Sequence, residues 1–311
     1  MKLQEEFGSE QFSSASDLVI WASNVLADWF VILIFNSAQA LWHALESLLY
    51  PALFFAGLAL IIKRRRLFQD FRQALPETTI TLSLMAFNIV FVLPLLTIFL
   101  LWLTETGERF GFRIVDEQFW KQLPEPLVIF LAVFLGDFIG YWRHRLEHSP
   151  LLWPSHAVHH SDTEMTWLAL ERFHPVNRVT TVVIDNTVLL LLGFPPYVLI
   201  ANNLVRHYYG YFIHADLPWT YGLLGKIFVS PSMHRWHHAA DYRAFNTNFA
   251  TVFSLFDVVF GTYRVPAPTP TQLGVTDNMG DGVIGQLSYP FKPNGYRRVW
   301  RRLTGGADPA A

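Results

Sequence analysis

"LVIFLAVFLGDFIGYWRHRLEH", residues 127–148, opens as an apolar run and closes on two histidines. Residues 127–142 have the composition of a helix immersed in hydrocarbon, with Asp137 as the interruption. The run continues without a break into HRLEH. His144 and His148 stand four apart, so a helix puts both imidazoles on one face. A membrane helix that delivers imidazoles at its end sets how the rest of the chain is read.

The composition agrees with a bilayer as solvent. Of 311 residues, 52% are apolar and 15% charged, against about 25% charged in ordinary soluble domains. The net charge of −2 leaves no basic excess to neutralise phosphates, which argues against a nucleic-acid partner. The chain contains no cysteine, which excludes disulfides, thiolate zinc sites and iron–sulfur clusters. "MKLQEEFGSEQFSSASD" has neither the basic start nor the small-residue cleavage site of a secretory signal, so the first apolar segment is expected to be retained.

Three apolar runs precede residue 127. Residues 18–36 carry Asp28, and residues 38–62 carry Glu46 and Pro51 and end in KRRR at 63–66. Residues 78–103 hold no charge over 26 positions, more than the roughly 20 a spanning helix needs; Pro94 is expected to kink them. The positive-inside rule places KRRR in the cytoplasm, and Arg143 and Arg145 return to the same side two crossings later. Residues 179–213 are broken by GFPP at 193–196 and read as a helical hairpin, with Asp185 and Asn186 turned towards protein. Residues 215–261 read as short helices and loops, and 265–311 as a loosely packed cap whose YRRVWRRL (296–303) lies at headgroup level. The expected fold is an all-α integral-membrane bundle of about four spans plus the hairpin, with a histidine-rich cap on the cytoplasmic side. Transmembrane helices would occupy 1–125, a catalytic domain 126–264 and a cytoplasmic tail 265–311.

Eleven of the twelve histidines lie between 144 and 238, His43 being the exception. H-x-x-H-H occurs twice, as His156, His159 and His160 and as His234, His237 and His238. On a helix the first histidine of each motif shares a face with the other two, so the imidazoles of several elements can enclose a polar pocket. So many unpaired imidazoles would be costly to bury, and a metal resolves the cost. Structural zinc saturates at four ligands, so this number suits two metals. Imidazole accepts Zn, Cu, Fe or Ni. Carboxylates are absent from the repeated positions, and Glu147 points away from the face of its flanking histidines. H-E-x-x-H is missing too, although Glu164 or Glu171 could act as a base in a zinc-dependent hydrolase. A metal transporter is the other alternative, but the third run lacks the ionisable residues a transport path would need.

GDFIGYWRHRLEH (136–148), HAVHHSD followed by RFHP, FIHADLPW (212–219) and SMHRWHHAADYRAFNTNFATVFSLFDVVFGTY (232–263) together resemble the fatty acid hydroxylase and sterol desaturase superfamily of integral-membrane di-iron oxygenases. The likeness covers residues 127–264, with order, spacing and flanks in agreement. It implies nine metal ligands: His144, His148, His156, His159, His160, His214, His234, His237 and His238. Where some relatives carry a His or Asn one turn before the hairpin histidine, this chain has Gly210. A water or His207 could serve instead, and His174 could be a ligand, a group behind the ligands or a loop residue. Asp137, one face with His144, and Asp241, Asn246, Asn248 and Asp257 resemble the family's polar surround; the two asparagines fit turns equally well. Asp162 could cap the segment after the second box. The resemblance further implies two iron ions (Fe2+/Fe3+), O2 as co-substrate, and a sterol or fatty-acyl lipid from the bilayer that is hydroxylated or desaturated. With no G-x-G-x-x-G fingerprint, reductant would come from a separate electron-donor protein, for which the basic patches at 63–66 and 297–302 are candidate docking points.

Overall fold

A computed structural model describes residues 15–296 except 268, 271 and 281, with the backbone alone for 15–35, 65, 108 and 294. Among the described residues the secondary structure is helical, and the one strand-like contact is the bridge Ala239 to Leu273. The chain forms two compact units, residues 1–49 and 50–311.

Helix α1, Ala15–Lys63, is continuous where two apolar runs were expected. The junction Asn36-Ser37-Ala38 holds no glycine or proline, so nothing there breaks the helix. The side chains of 18–35 in the first run, Asp28 among them, lie outside the described residues. Glu46, a blemish in the second run, is satisfied within the first unit: it accepts from Trp42 Nε1 at 2.6 Å and lies 3.1 Å from His43 Nδ1. Among the described residues three helices are long and apolar enough to cross a membrane: Asn36–Lys63, Leu67–Gly107 and Glu125–Glu147.

The second of these starts earlier than its apolar run. Helix α2, Leu67–Phe87, passes through a π turn at Asn88–Val92 into α3, Leu93–Phe110. Its polar first turns are held by ion pairs, Asp70 to Lys63 at 2.7 Å and Glu77 to Arg172 at 2.7 Å. The π turn sits where Pro94 lacks an N–H and its ring crowds the carbonyl four residues back. Buried Asn88, the first residue of the π turn, donates its side-chain amide to Leu84 O at 2.9 Å and to Phe173 O at 2.8 Å. Pro94 thus produces a bulge that docks the loop of His174.

After the short helix α4 (Glu117–Lys121), α5 spans Glu125–Glu147. The hairpin forms as expected: α7, Pro175–Leu191, turns at Gly193 (φ 71°) into α8, Pro196–His214. A Cβ at Gly193 would stand 2.0 Å from Val115 O, so glycine is required there. Gly136 and Gly140, four apart on α5, let α8 approach; a Cβ at either would meet Asn202 Oδ1 at 2.4 Å or Arg206 at 2.0 Å. The hairpin tip is apolar, with Phe194 stacked on Trp120 at 4.0 Å.

The remaining elements gather at the far end of α5. They are α6 (Trp153–His160), α9 (Pro231–His237), α10 (Leu255–Val259) and α11 (Gly282–Ser288). The segment after 265, expected to be loosely packed, is instead part of the core: Met279 and Tyr289 are buried with Leu84, Ala157 and Val158. Its apolar residues cover the outer face of α6. The basic run from 297 lies outside the described residues.

Candidate metal centre

Four pieces of backbone bring nine histidines together in two groups. His144, His148, His156, His160 and His237 form one; His159, His214, His234 and His238 form the other. In each, the candidate ligand atoms lie within 4.8 Å of one another. These are the nine positions expected to ligate metal.

The division corrects the expectation of one convergent face per motif. Neighbouring residues on a helix point about 100° apart. His159 and His160 therefore cannot aim at the same spot, and their rings stand at 90°. His156 and His160 serve the five-membered group while His159 turns to the other. The second motif is used in reverse: His234 and His238 serve the four-membered group and His237 crosses over. The two motifs interlock, and His160 stacks on His238 at 4.3 Å.

Hydrogen bonds fix which nitrogen faces inward. His144 Nδ1 donates to Phe249 O at 2.7 Å, and His237 Nδ1 to Thr247 O at 2.7 Å. His156 Nδ1 lies 3.2 Å from Asn177 Oδ1, and His214 Nδ1 donates to Gly210 O at 2.7 Å. A neutral ring that donates through Nδ1 carries a lone pair on Nε2. Yet His144 Nε2 lies 2.9 Å from His156 Nε2 and 2.9 Å from His237 Nε2. Three acceptors then face each other with no proton between them. Protonating them is disfavoured: burial pushes His237 down to about 4, against the raising effect of its bond to Thr247. Burial, then neighbouring imidazole charge, holds His156, His160 and His238 well below the ordinary value. Buried His148 Nε2 and both ring nitrogens of His238 have no hydrogen-bond partner. Converging neutral nitrogens with unshared pairs fit a transition-metal ion in each group.

Two buried carboxylates hold the loop behind His144. Asp137 accepts the N–H groups of Thr251, Val252 and Phe253 at 3.2, 3.0 and 2.7 Å. Asp257 accepts those of Phe249 and Ala250 at 2.7 and 2.9 Å, and the Thr262 hydroxyl at 2.6 Å. Both act through backbone; neither bonds an imidazole. Asn246, with φ 56°, hydrogen-bonds His148. Asn248 ties a turn, accepting from Arg264 N at 2.7 Å, and Asp241 caps the turn at Tyr242–Ala244 through Arg243 N at 2.9 Å. Asp162 caps its segment as expected, accepting from Met165 N at 2.8 Å.

The two singled-out histidines belong to neither group. His174 caps α7, accepting from Val176 N at 3.1 Å while its Nε2 donates to Leu287 O at 3.1 Å. His207, 42% exposed, lies 3.4 Å from Glu171. The space beside Gly210 is closed by Leu170, which a Cβ would meet at 3.0 Å. Neither candidate hydrolytic base joins a group; Glu171 is held by Arg178 at 3.0 Å and Tyr211 at 2.8 Å.

Sequence reasoning missed the network behind His156. Glu147, fully buried, binds Arg143 at 2.6 Å and Thr180 at 2.6 Å, and its Oε2 lies 3.7 Å from His156 Nδ1. Asp185 joins Arg143 at 2.8 Å and Arg206 at 2.9 Å. The Arg143–Glu147 spacing of four on α5 was the available signal.

Residues 129–262 match the fatty acid hydroxylase family, a range that contains all nine histidines. Ornithine lipid hydroxylase OlsE of Rhizobium tropici is 27% identical over 86% of this chain and 90% of its own length. Alkylglycerol monooxygenase of Danio rerio is 29% identical over 54% of this chain, which spans 37% of that relative's length. Delta(7)-sterol 5(6)-desaturase erg3C of Aspergillus fumigatus is 26% identical over 60% of this chain and 63% of its own. No solved structure matches the chain. Over its two interlocked histidine motifs the chain is thus similar to the fatty acid hydroxylase family, and the proteins it resembles are hydroxylases and desaturases of lipids.

Proposed function

We propose that this chain is a membrane di-iron monooxygenase that hydroxylates or desaturates a C–H bond of a lipid, using O2 and electrons from a separate donor protein. The observation that carries the reading is the approach of three Nε2 lone pairs, those of His144, His156 and His237, at 2.9 Å. The five-membered and four-membered groups would each hold one ion. Iron bound there supplies the oxidising power to break an unreactive C–H bond with O2.

The protein's own part is orientation. Carbonyls of Thr247, Phe249 and Gly210 hold the Nδ1 protons, so each Nε2 stays free and aimed inward. Phe249 and Trp153 pack against His148, each with ring centroids 5.0 Å away, and give the five-membered group an apolar wall. A cavity of about 630 Å³ reaches His148, His160 and His237 past Asn246, and serves as an approach to that group.

The site lies on the cytoplasmic side in this reading. Leu67–Gly107 and Glu125–Glu147 are two crossings that separate KRRR from Arg143 and Arg145. The contact of Lys63 with Asp216 at 2.6 Å, two residues past His214, supports one shared side. Arg64 and Arg66 remain exposed there for a donor. Among lipids, the relative matched over 90% of its length favours an amphiphile with a polar headgroup.

Metal analysis with oxygen uptake tests the proposal. Two irons per chain and reductant-dependent O2 consumption on added lipid are expected. Tightly held zinc with undiminished activity under anaerobic conditions would overturn it.

A further inference from the structure

A second cavity, of about 750 Å³, lies between α1, α2 and the segment after His160, and no histidine lines it. Its walls are apolar, including Ala52, Phe55, Ala59, Leu67, Phe71 and Trp167. From Ala52 to Lys63 a helix rises about 16 Å, about half the hydrocarbon thickness of a bilayer. The cavity thus runs from membrane depth to the basic end of α1.

That end is charged and incompletely paired. Lys63 binds Asp70 at 2.7 Å and Asp216 at 2.6 Å, and Arg235 binds Asp216 at 3.2 Å. Two groups are left over. One is a single nitrogen: Arg235, 9% exposed, also donates Nη1 to Met165 O at 3.2 Å, and its Nε alone has no hydrogen-bond partner. Glu164, exposed at the rim, makes no ion pair among the described residues. Burial raises its carboxyl, and the charges of Asp162, Glu77, Asp70 and Asp216 raise it further. A buried N–H without an acceptor calls for an oxygen. Glu164 lies near enough to Arg235 for its charge to be felt there but is not paired with it, which leaves the carboxylate open to a further cation.

We infer that this cavity is the berth of a zwitterionic acyl lipid: its chain lies along α1, its oxyanion meets the guanidinium of Arg235 in the wall, and its ammonium meets Glu164. The inference rests on the reading of the chain as a lipid-modifying enzyme and names the headgroup class. Arg235 stands beside His234, so the berth holds the lipid against the shell of the four-membered group.

Native mass spectrometry of the detergent-purified chain tests this without turnover. The probes are phosphatidylethanolamine, phosphatidylglycerol and diacylglycerol with identical chains. Phosphatidylethanolamine is expected to bind about tenfold more tightly than phosphatidylglycerol, and that in turn about tenfold more tightly than diacylglycerol. Glu164→Gln should erase the first preference, and Arg235→Gln the second. Ala59→Phe, which blocks the walls, should weaken all three lipids. Equal binding of the three lipids by the wild type, or preferences untouched in Glu164→Gln, would overturn the inference. Glu164 sits at the surface, so that arm stands even if Arg235→Gln fails to fold. Binding is read with metal present and stripped. Preserved lipid selectivity in protein that consumes no O2 would sink the proposed function and leave this inference standing.

Discussion

The two histidine groups use the same residue type and the same motif but are built to different tolerances. In the five-membered group, His144 and His237 are locked by backbone carbonyls, His156 by Asn177, and His148 by Asn246. In the four-membered group, His214 is tied to Gly210, while His234 Nδ1 and both nitrogens of His238 have no partner. Groups behind a ligand fix its ring and raise its basicity. One group is therefore set in place before any ion arrives, and the other depends more on the ion to order it. Five imidazoles, four of them anchored, should hold their metal more tightly than four of which few are anchored.

The largest expected effect comes from removing a ligand. His237→Ala and His159→Ala should each lower iron from two per chain to about one and reduce turnover below about 1% of wild type, a loss beyond that of groups behind the ligands. Iron quantitation on folded, purified protein checks this; full activity in either variant would remove that histidine from the site. Chelation comes next. Graded dialysis against a chelator should empty the four-membered group at about tenfold lower chelator than the five-membered one. Simultaneous loss of both ions would erase the contrast.

A smaller effect is expected behind the ligands. Asp257→Asn removes an anchor of the Phe249 loop and so loosens His144. Affinity in the five-membered group should fall about tenfold with the other group unchanged, read as two separate steps in an iron titration. His174→Ala loses a helix cap, about 1 kcal/mol of stability, and should keep both irons. Thermal unfolding with metal analysis separates those outcomes. His43→Ala, at an exposed site bonded to Glu46, should change neither stability beyond about 0.5 kcal/mol nor turnover.

Much of this was legible in the sequence because it is carried by local spacing. HRLEH and the two H-x-x-H-H motifs hold eight of the nine clustered histidines, FIHADLPW holds the ninth, and GFPP marks the hairpin turn. Spacing shows which side chains share a face but not which neighbour that face meets. For that reason one pocket was expected where two groups interlock, and the 100° between adjacent histidines was the clue that went unused. Glu147 was set aside as facing away from its flanking histidines. Its role depends on Thr180 and Asn177, which only the packing of the hairpin brings near. The packed segment 272–296 was also hidden, since Pro and Gly content speaks of irregular backbone and says nothing about burial. Continuity of α1 through Asn36–Ala38 shows the reverse error: two apolar runs do not make two helices without a breaker between them.

In the proposed centre, nine imidazoles divide five and four around two ions. Crystals of iron-loaded protein measured at the iron absorption edge test it directly. Two anomalous peaks are predicted, one amid His144, His148, His156, His160 and His237, the other amid His159, His214, His234 and His238. A single peak shared by all nine, or peaks away from these side chains, would contradict the account.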